Sequence, residues 1–190
     1  GGWGRFVVRN FNQNPNCNLK YICDANEDLL AKQASLYPSA TLTTDFQTVL
    51  DDDEVDAVAI VTPAPTHYAL AKAALLAGKH VYVEKPCSHN FREGQLLVEA
   101  ARRNRVVVQH GTQSRNNPLV VGAIEMLREG KIGDVMMAKA WNVQRRKNIG
   151  SAKPSTPPSG VDYDTWVGPA EYLPFQSNRF HYDWHWWYNF

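Results

Sequence analysis

Cysteine is scarce in this chain: Cys17, Cys23 and Cys87 are the only three. They form no C-x-x-C pair and leave an odd count, which argues against a disulfide framework or a zinc knuckle. An excess of one charge is also missing. Lysine plus arginine total 20 and aspartate plus glutamate 19, so the net charge is +1. Nucleic-acid surfaces usually carry a basic excess, so no nucleic-acid partner is expected. Long apolar runs are lacking too, because Lys or Asp interrupts each one short of a membrane span. No membrane partner is expected, and no internal repeat is visible. What is present is 190 residues, 44% apolar and 21% charged, the composition of a globular protein with a real core.

Strand and helix patterns alternate over the first two-thirds. Leu19 to Cys23 reads as a strand ending at Asp24, and Asn26 can cap a helix through Leu29, Leu30 and Ala34. Phe46 to Leu50 is a short helix candidate. Val55 to Val61 is nearly continuous and apolar, as expected of a strand covered on both faces. Thr66 can cap an alanine-rich helix that Gly78 ends, and His80 to Val83 is the next strand. Asn90 with Glu93 resembles a capping box, and Val106 to Gln109 is a further strand. Buried strands separated by helices imply right-handed βαβ units and a parallel sheet. Ligands of such a sheet bind at the carboxyl ends of its strands, here Asp24, Thr62-Pro63, Glu84-Lys85-Pro86 and Gln109 to Arg115.

The pattern changes near Arg115. Asn117-Pro118 is a helix start and Gly130 a stop. Asp134 to Gln144 suits a strand with one exposed face, and Asn148 to Gly160 reads as a loop. The expected fold is therefore α/β. A doubly wound parallel Rossmann sheet over residues 1–114 precedes the start of a second domain over 115–190.

Gly1-Gly2-Trp3-Gly4 reads either as a loop or as the tail of G-x-G-x-x-G, with Gly1 second and Gly4 third. In the second reading a helix opening there would hold phosphates on its N–H groups. Asp24 lies 20 residues past Gly4, where that motif wants an acid on the adenosine ribose. Such an acid repels a 2′-phosphate, which favours NAD over NADP. The plainer alternative is that Asp24 ends a strand or caps a turn. Lys85 follows a buried strand directly, beside Glu84 and Pro86, and partial burial there would tune its amine. A surface lysine is the common alternative.

Thr62-Pro63, then His67, then Ala77-Gly78-Lys79-His80-Val81, then Glu84-Lys85-Pro86 closely resembles the Gfo/Idh/MocA oxidoreductases, which include glucose–fructose oxidoreductase and inositol dehydrogenase. Tyr163-Asp164-x-Trp166-x-Gly168-Pro169-Ala170 and the run from Arg179 to Trp186 look like a dehydrogenase subgroup of that family. The resemblance implies Gly1, Trp3 and Gly4 on the dinucleotide phosphates and Asp24 on the adenosine ribose. It implies Thr62, Pro63 and His67 along the path to nicotinamide, Glu84 by the nicotinamide ribose, and Gln113 near the second domain. Lys85 would touch cofactor and substrate hydroxyl as the catalytic residue, with Arg115, His181 and Trp184 on the substrate side. The second domain would be an open, mostly antiparallel α+β sheet used for substrate binding and homo-oligomer formation. The family's first strand, first glycine and downstream Asp-x-x-x-His do not occur in the 190 residues, so the chain alone is expected to be an incomplete catalyst and poorly stable.

The implied function is NAD-dependent hydride transfer between nicotinamide and a hydroxyl of a sugar, cyclitol or polyol. Two alternatives stay open: NAD-dependent glycoside hydrolysis on the same fold, and a cofactor-binding regulator without turnover. A cytoplasmic location is expected, with export left open. His181 and His185, four apart, would share one helical face as metal ligands, but no third ligand is obvious and packing or substrate contact is preferred. The tryptophan-rich end suits sugar stacking or ordinary core, with core preferred. The runs Arg102-Arg103-x-Arg105, Arg145-Arg146-Lys147 and Asp51 to Glu54 read as solvated charge. Cys87 beside Lys85 reads as a packed side chain.

Overall fold

A computed structural model describes residues 2–141 and 147–187. The chain divides into two compact units, Gly1–Gly111 and Thr112–Phe190. Gly1, Arg145 and Arg146, singled out above, lie outside the described residues.

In the first unit α1 (Gly4–Gln13) is followed by β1 (Tyr21–Cys23), α2 (Glu27–Ala34), β2 (Thr41–Thr43), α3 (Phe46–Leu50) and β3 (Ala57–Ile60). A 3-10 turn (Ala64–Thr66) then leads into α4 (His67–Leu76), β4 (His80–Glu84), α5 (Phe91–Asn104) and β5 (Val108–Gly111). All strand pairs are parallel, in two sheets ordered β1-β2 and β3-β4-β5. Strand β2 has no counterpart in the sequence reading. Its three residues, Thr41-Leu42-Thr43, are too short for a periodic signal and take their extended form from pairing with Tyr21 to Cys23.

The helices start where short polar side chains meet open N–H groups. Asn26 accepts from the Leu29 N–H, Asp45 from that of Gln47, and Asn90 from that of Glu93. The Asn90 motif differs from a closed capping box, because Glu93 accepts from the His89 N–H at 2.7 Å. Thr66 does not cap α4 with its side chain. Its hydroxyl bonds the Pro63 carbonyl at 2.8 Å and Thr62 Oγ1 at 2.6 Å within the tight turn. Gly78 and Arg105 end α4 and α5 with positive φ, and glycine adopts that conformation without the cost of a Cβ.

Helix α4 packs against α5, β3 and β4. Ala71, Ala74 and Leu75 are fully buried there, and the small alanines let the helix lie close to Val58, Ile60, Val81 and Val83. On the opposite face of β4, Tyr82 meets Phe11 of α1 edge-on at 5.9 Å. Helices therefore lie on both faces, as a doubly wound sheet requires. Strand β3 departs from the expected two-sided burial: Val58 and Ile60 are buried, whereas Ala57 and Ala59 are exposed. Alanine is apolar enough to mimic a buried run in sequence but does not dictate which face is covered.

In the second unit α6 (Pro118–Arg128) opens on Asn117, which accepts from the Leu119 N–H at 2.9 Å. Residues Asp134 to Trp141 form no strand, contrary to expectation, and Met136 and Met137 are exposed. A strand needs a ladder partner, and the described residues of this unit contain no strand to supply one. A short helix α7 (Tyr163–Val167) and 3-10 turns at Ser177–Arg179 and His181–Trp186 follow. Tyr163, Val167 and Phe175 form a small core with Trp166 and Phe180 packed on it, so this part of the aromatic end is core.

Candidate active site

The site is built around Glu84, the last residue of β4, which is only 4% exposed. Its Oε1 accepts from the Trp3 indole N–H at 2.9 Å and from the Tyr82 hydroxyl at 2.9 Å. Its Oε2 accepts from the Lys85 backbone N–H at 3.2 Å. A buried carboxylate is costly to desolvate unless donors surround it, and here they do. Burial, then the bond to Glu84, pushes the Tyr82 phenol up to about 12. Gly111 pairs with Glu84 across the β4–β5 ladder. A Cβ on Gly111 would sit 2.8 Å from both Glu84 Oε1 and the Tyr82 hydroxyl, so only glycine leaves room for this arrangement. Tyr82 and Gly111 escaped the sequence reading, although period-two alternation already places Tyr82 on the same face as Glu84.

Lys85 is exposed, so the expected partial burial is not found; it stands just past the end of the strand, where the sheet no longer covers it. The Lys85–Pro86 peptide is cis. Thr62 and Pro63 are exposed beyond β3. His67 is instead buried at 2% exposure. Its Nδ1 lies 2.6 Å from the Pro86 carbonyl oxygen and its Nε2 lies 2.8 Å from that of Thr62. Both ring nitrogens thus face backbone carbonyls. Asp24 is half-buried after β1, and its Oδ1 accepts from the Asn26 N–H at 3.0 Å, so it does shape the turn into α2. Cys87 is half-buried against the first unit's core.

The acidic turn is more than solvated charge. Asp52 accepts from Lys20 Nζ at 2.7 Å and from the Tyr21 hydroxyl at 2.7 Å, which holds its carboxyl down at about 2. Lys79, 6% exposed, donates to the Asp52 carbonyl at 2.7 Å.

In the second unit Gln113 and Arg115 are exposed in a turn. His181 is exposed with φ of 54°, and Trp184 is at the surface. Residues His181–Trp186 form a 3-10 helix, and the His185 side chain of the expected pair lies outside what the structure describes. A cavity of about 320 Å³ lies between Ile149–Ala152 and Gln176, Asn178 and Trp187, without His181 or Trp184 in its wall.

The profile of the Gfo/Idh/MocA family, described as an oxidoreductase family with an NAD-binding Rossmann fold, matches residues 1–112. This chain belongs to that family. It is 33% identical to Oxidoreductase P35 of Formosa agariphila over 136 residues, 72% of this chain and 42% of the relative. It is 31% identical to levoglucosan dehydrogenase of Pseudarthrobacter phenanthrenivorans over 138 residues, 73% of this chain and 34% of that enzyme. The fold is shared with apo scyllo-inositol dehydrogenase of Lactobacillus casei at a TM-score of 0.66 and 24% identity, covering 70% of this chain and 40% of that one. The chain thus spans less than half the length of these relatives.

The family's dinucleotide suits the residues present in this Gfo/Idh/MocA chain. Helix α1 opens with no capping side chain and no acid in its first turn, which suits an anion at its first N–H groups. The Trp3–Glu84 bond sets that helix start beside the carboxyl end of β4. Among the described residues, no helix is long and apolar enough to cross a membrane.

Proposed function

We propose that the protein is an NAD-dependent oxidoreductase acting on a hydroxyl of a sugar, cyclitol or polyol. The observation that carries this reading is the meeting of Trp3, Glu84 and the Lys85 backbone at the carboxyl end of β4 in a chain of this family. The N–H groups at the start of α1 and Gly4 take the phosphates, and Asp24 takes the adenosine ribose and disfavours a 2′-phosphate. Thr62 and Pro63 flank the nicotinamide end, and Glu84 faces its ribose. When bound, the nicotinamide accepts or returns the hydride. The exposed Lys85 amine bonds the reacting oxygen, and the hydroxyl proton leaves to a base as the hydride departs, the role the histidine of the family's Asp-x-x-x-His would fill. Residues 115–190 are assigned to substrate, through Arg115, His181 and Trp184, with Gln113 on the cofactor.

The test is Lys85→Ala in the full-length protein. NAD binding stays within roughly tenfold, while turnover of a free polyol falls about a hundredfold or more. Unchanged turnover removes Lys85 from the chemistry. Release of sugar from a glycoside at catalytic NAD, with no net NADH, replaces the dehydrogenase reading with a hydrolase.

A further inference from the structure

We infer that His67 is a positioning residue for Lys85, its Nδ1–H donated to the Pro86 carbonyl so that α4 is tied to the peptide that follows Lys85. The inference rests on the role proposed for Lys85 above. His67, Ala71, Ala74 and Leu75 follow i, i+4, i+7, i+8 and make one buried face of α4. An imidazole on such a face is costly unless its polar atoms are bonded. Nδ1 lies 2.6 Å from the Pro86 carbonyl oxygen and Nε2 lies 2.8 Å from that of Thr62. Carbonyl oxygens only accept, so a ring with one N–H bonds one of them, and the Nδ1–H form bonds Pro86.

The two carbonyls belong to segments that end neighbouring parallel strands, β3 and β4. Lys85 lies between two anchored residues. Glu84 before it is held by Trp3 and Tyr82, and Pro86 after it is held by His67. The Lys85 side chain is exposed, so little packing restrains it. Its placement comes from its backbone, which is pinned on both sides. His67 thereby supports the geometry of a reacting amine without touching substrate.

Three measurements test this. In the unaltered protein, nitrogen-15 NMR shows His67 in the Nδ1–H form with that proton exchanging slowly with solvent. An Nε2–H ring, or rapid exchange at Nδ1, overturns the tie, whatever Lys85 does. His67→Phe keeps the ring's bulk and removes both contacts. It lowers kcat about tenfold or more and moves the NAD Kd less than about threefold. An equal loss in both makes His67 a cofactor contact, and no loss in either removes its role; both outcomes overturn the proposal. Finally, His67→Phe added to Lys85→Ala costs little more than Lys85→Ala alone, since a positioning residue acts through its client. Additive losses overturn it. If Lys85→Ala itself leaves turnover intact, the proposed function fails, while the exchange measurement still decides whether the tie exists.

Discussion

Trp3 donates its indole N–H to Oε1 of Glu84 across 2.9 Å, joining residues 81 positions apart. The bond anchors the start of α1 to the carboxyl end of β4. The same oxygen accepts from Tyr82, so a single buried carboxylate gathers a helix start and a strand end.

Trp3→Phe keeps an aromatic ring and removes the donor. Because Glu84 is buried, the loss is expected to lower stability by about 1–2 kcal/mol in denaturant unfolding. A change under about 0.3 kcal/mol would mean that the other donors to Glu84 suffice.

Tyr82 should ionise late. Its phenol stands at about 12 in the fold against a usual 10. A group whose folded value is raised contributes stability that is complete below the unfolded value and is lost as pH climbs through the folded one. Stability should therefore fall between about pH 10 and pH 12. Alkaline absorbance titration should show a delayed tyrosine class that shrinks in Tyr82→Phe. Tyr21, raised by its bond to Asp52, remains in that class.

Asp52 gives the opposite limb. Lys20 first, then Tyr21, hold its carboxyl at about 2 against a usual 3.8. A depressed folded value gives stability that is present above the unfolded value and lost as pH falls through the folded one. Urea midpoints should drop between about pH 4 and pH 2, and Asp52→Asn should flatten that acid limb. An unchanged acid limb in Asp52→Asn would assign it to other carboxylates.

Helix positions in the first unit were legible because their causes are local. Asn26 and Asn90 cap the helices their spacing implies, and Gly78 ends α4 with positive φ. Strands β3, β4 and β5 stand within two residues of their expected starts, since apolar runs between helices carry a strong signal. The strand expected from Asp134 was not found over Asp134 to Trp141, because extended backbone depends on a partner that local sequence does not name. The site was legible as positions but not as contacts. Glu84 and Lys85 were expected at a strand end, yet Tyr82 and Gly111, which shape the carboxylate's surroundings, were not singled out.

The alternation of strand and helix, the parallel sheet it implies and the family, carried by the residues from Thr62 to Pro86, were all readable from the order of residues. Those follow from periodicity, capping and motif spacing, all of which act over a few residues. What His67, Glu84 and Lys85 are to one another came from the folded arrangement alone. It buried the imidazole against two carbonyls, surrounded the carboxylate with distant donors, and left the lysine amine exposed. Burial and long-range hydrogen bonding depend on which segments the fold brings together, and no local pattern encodes that.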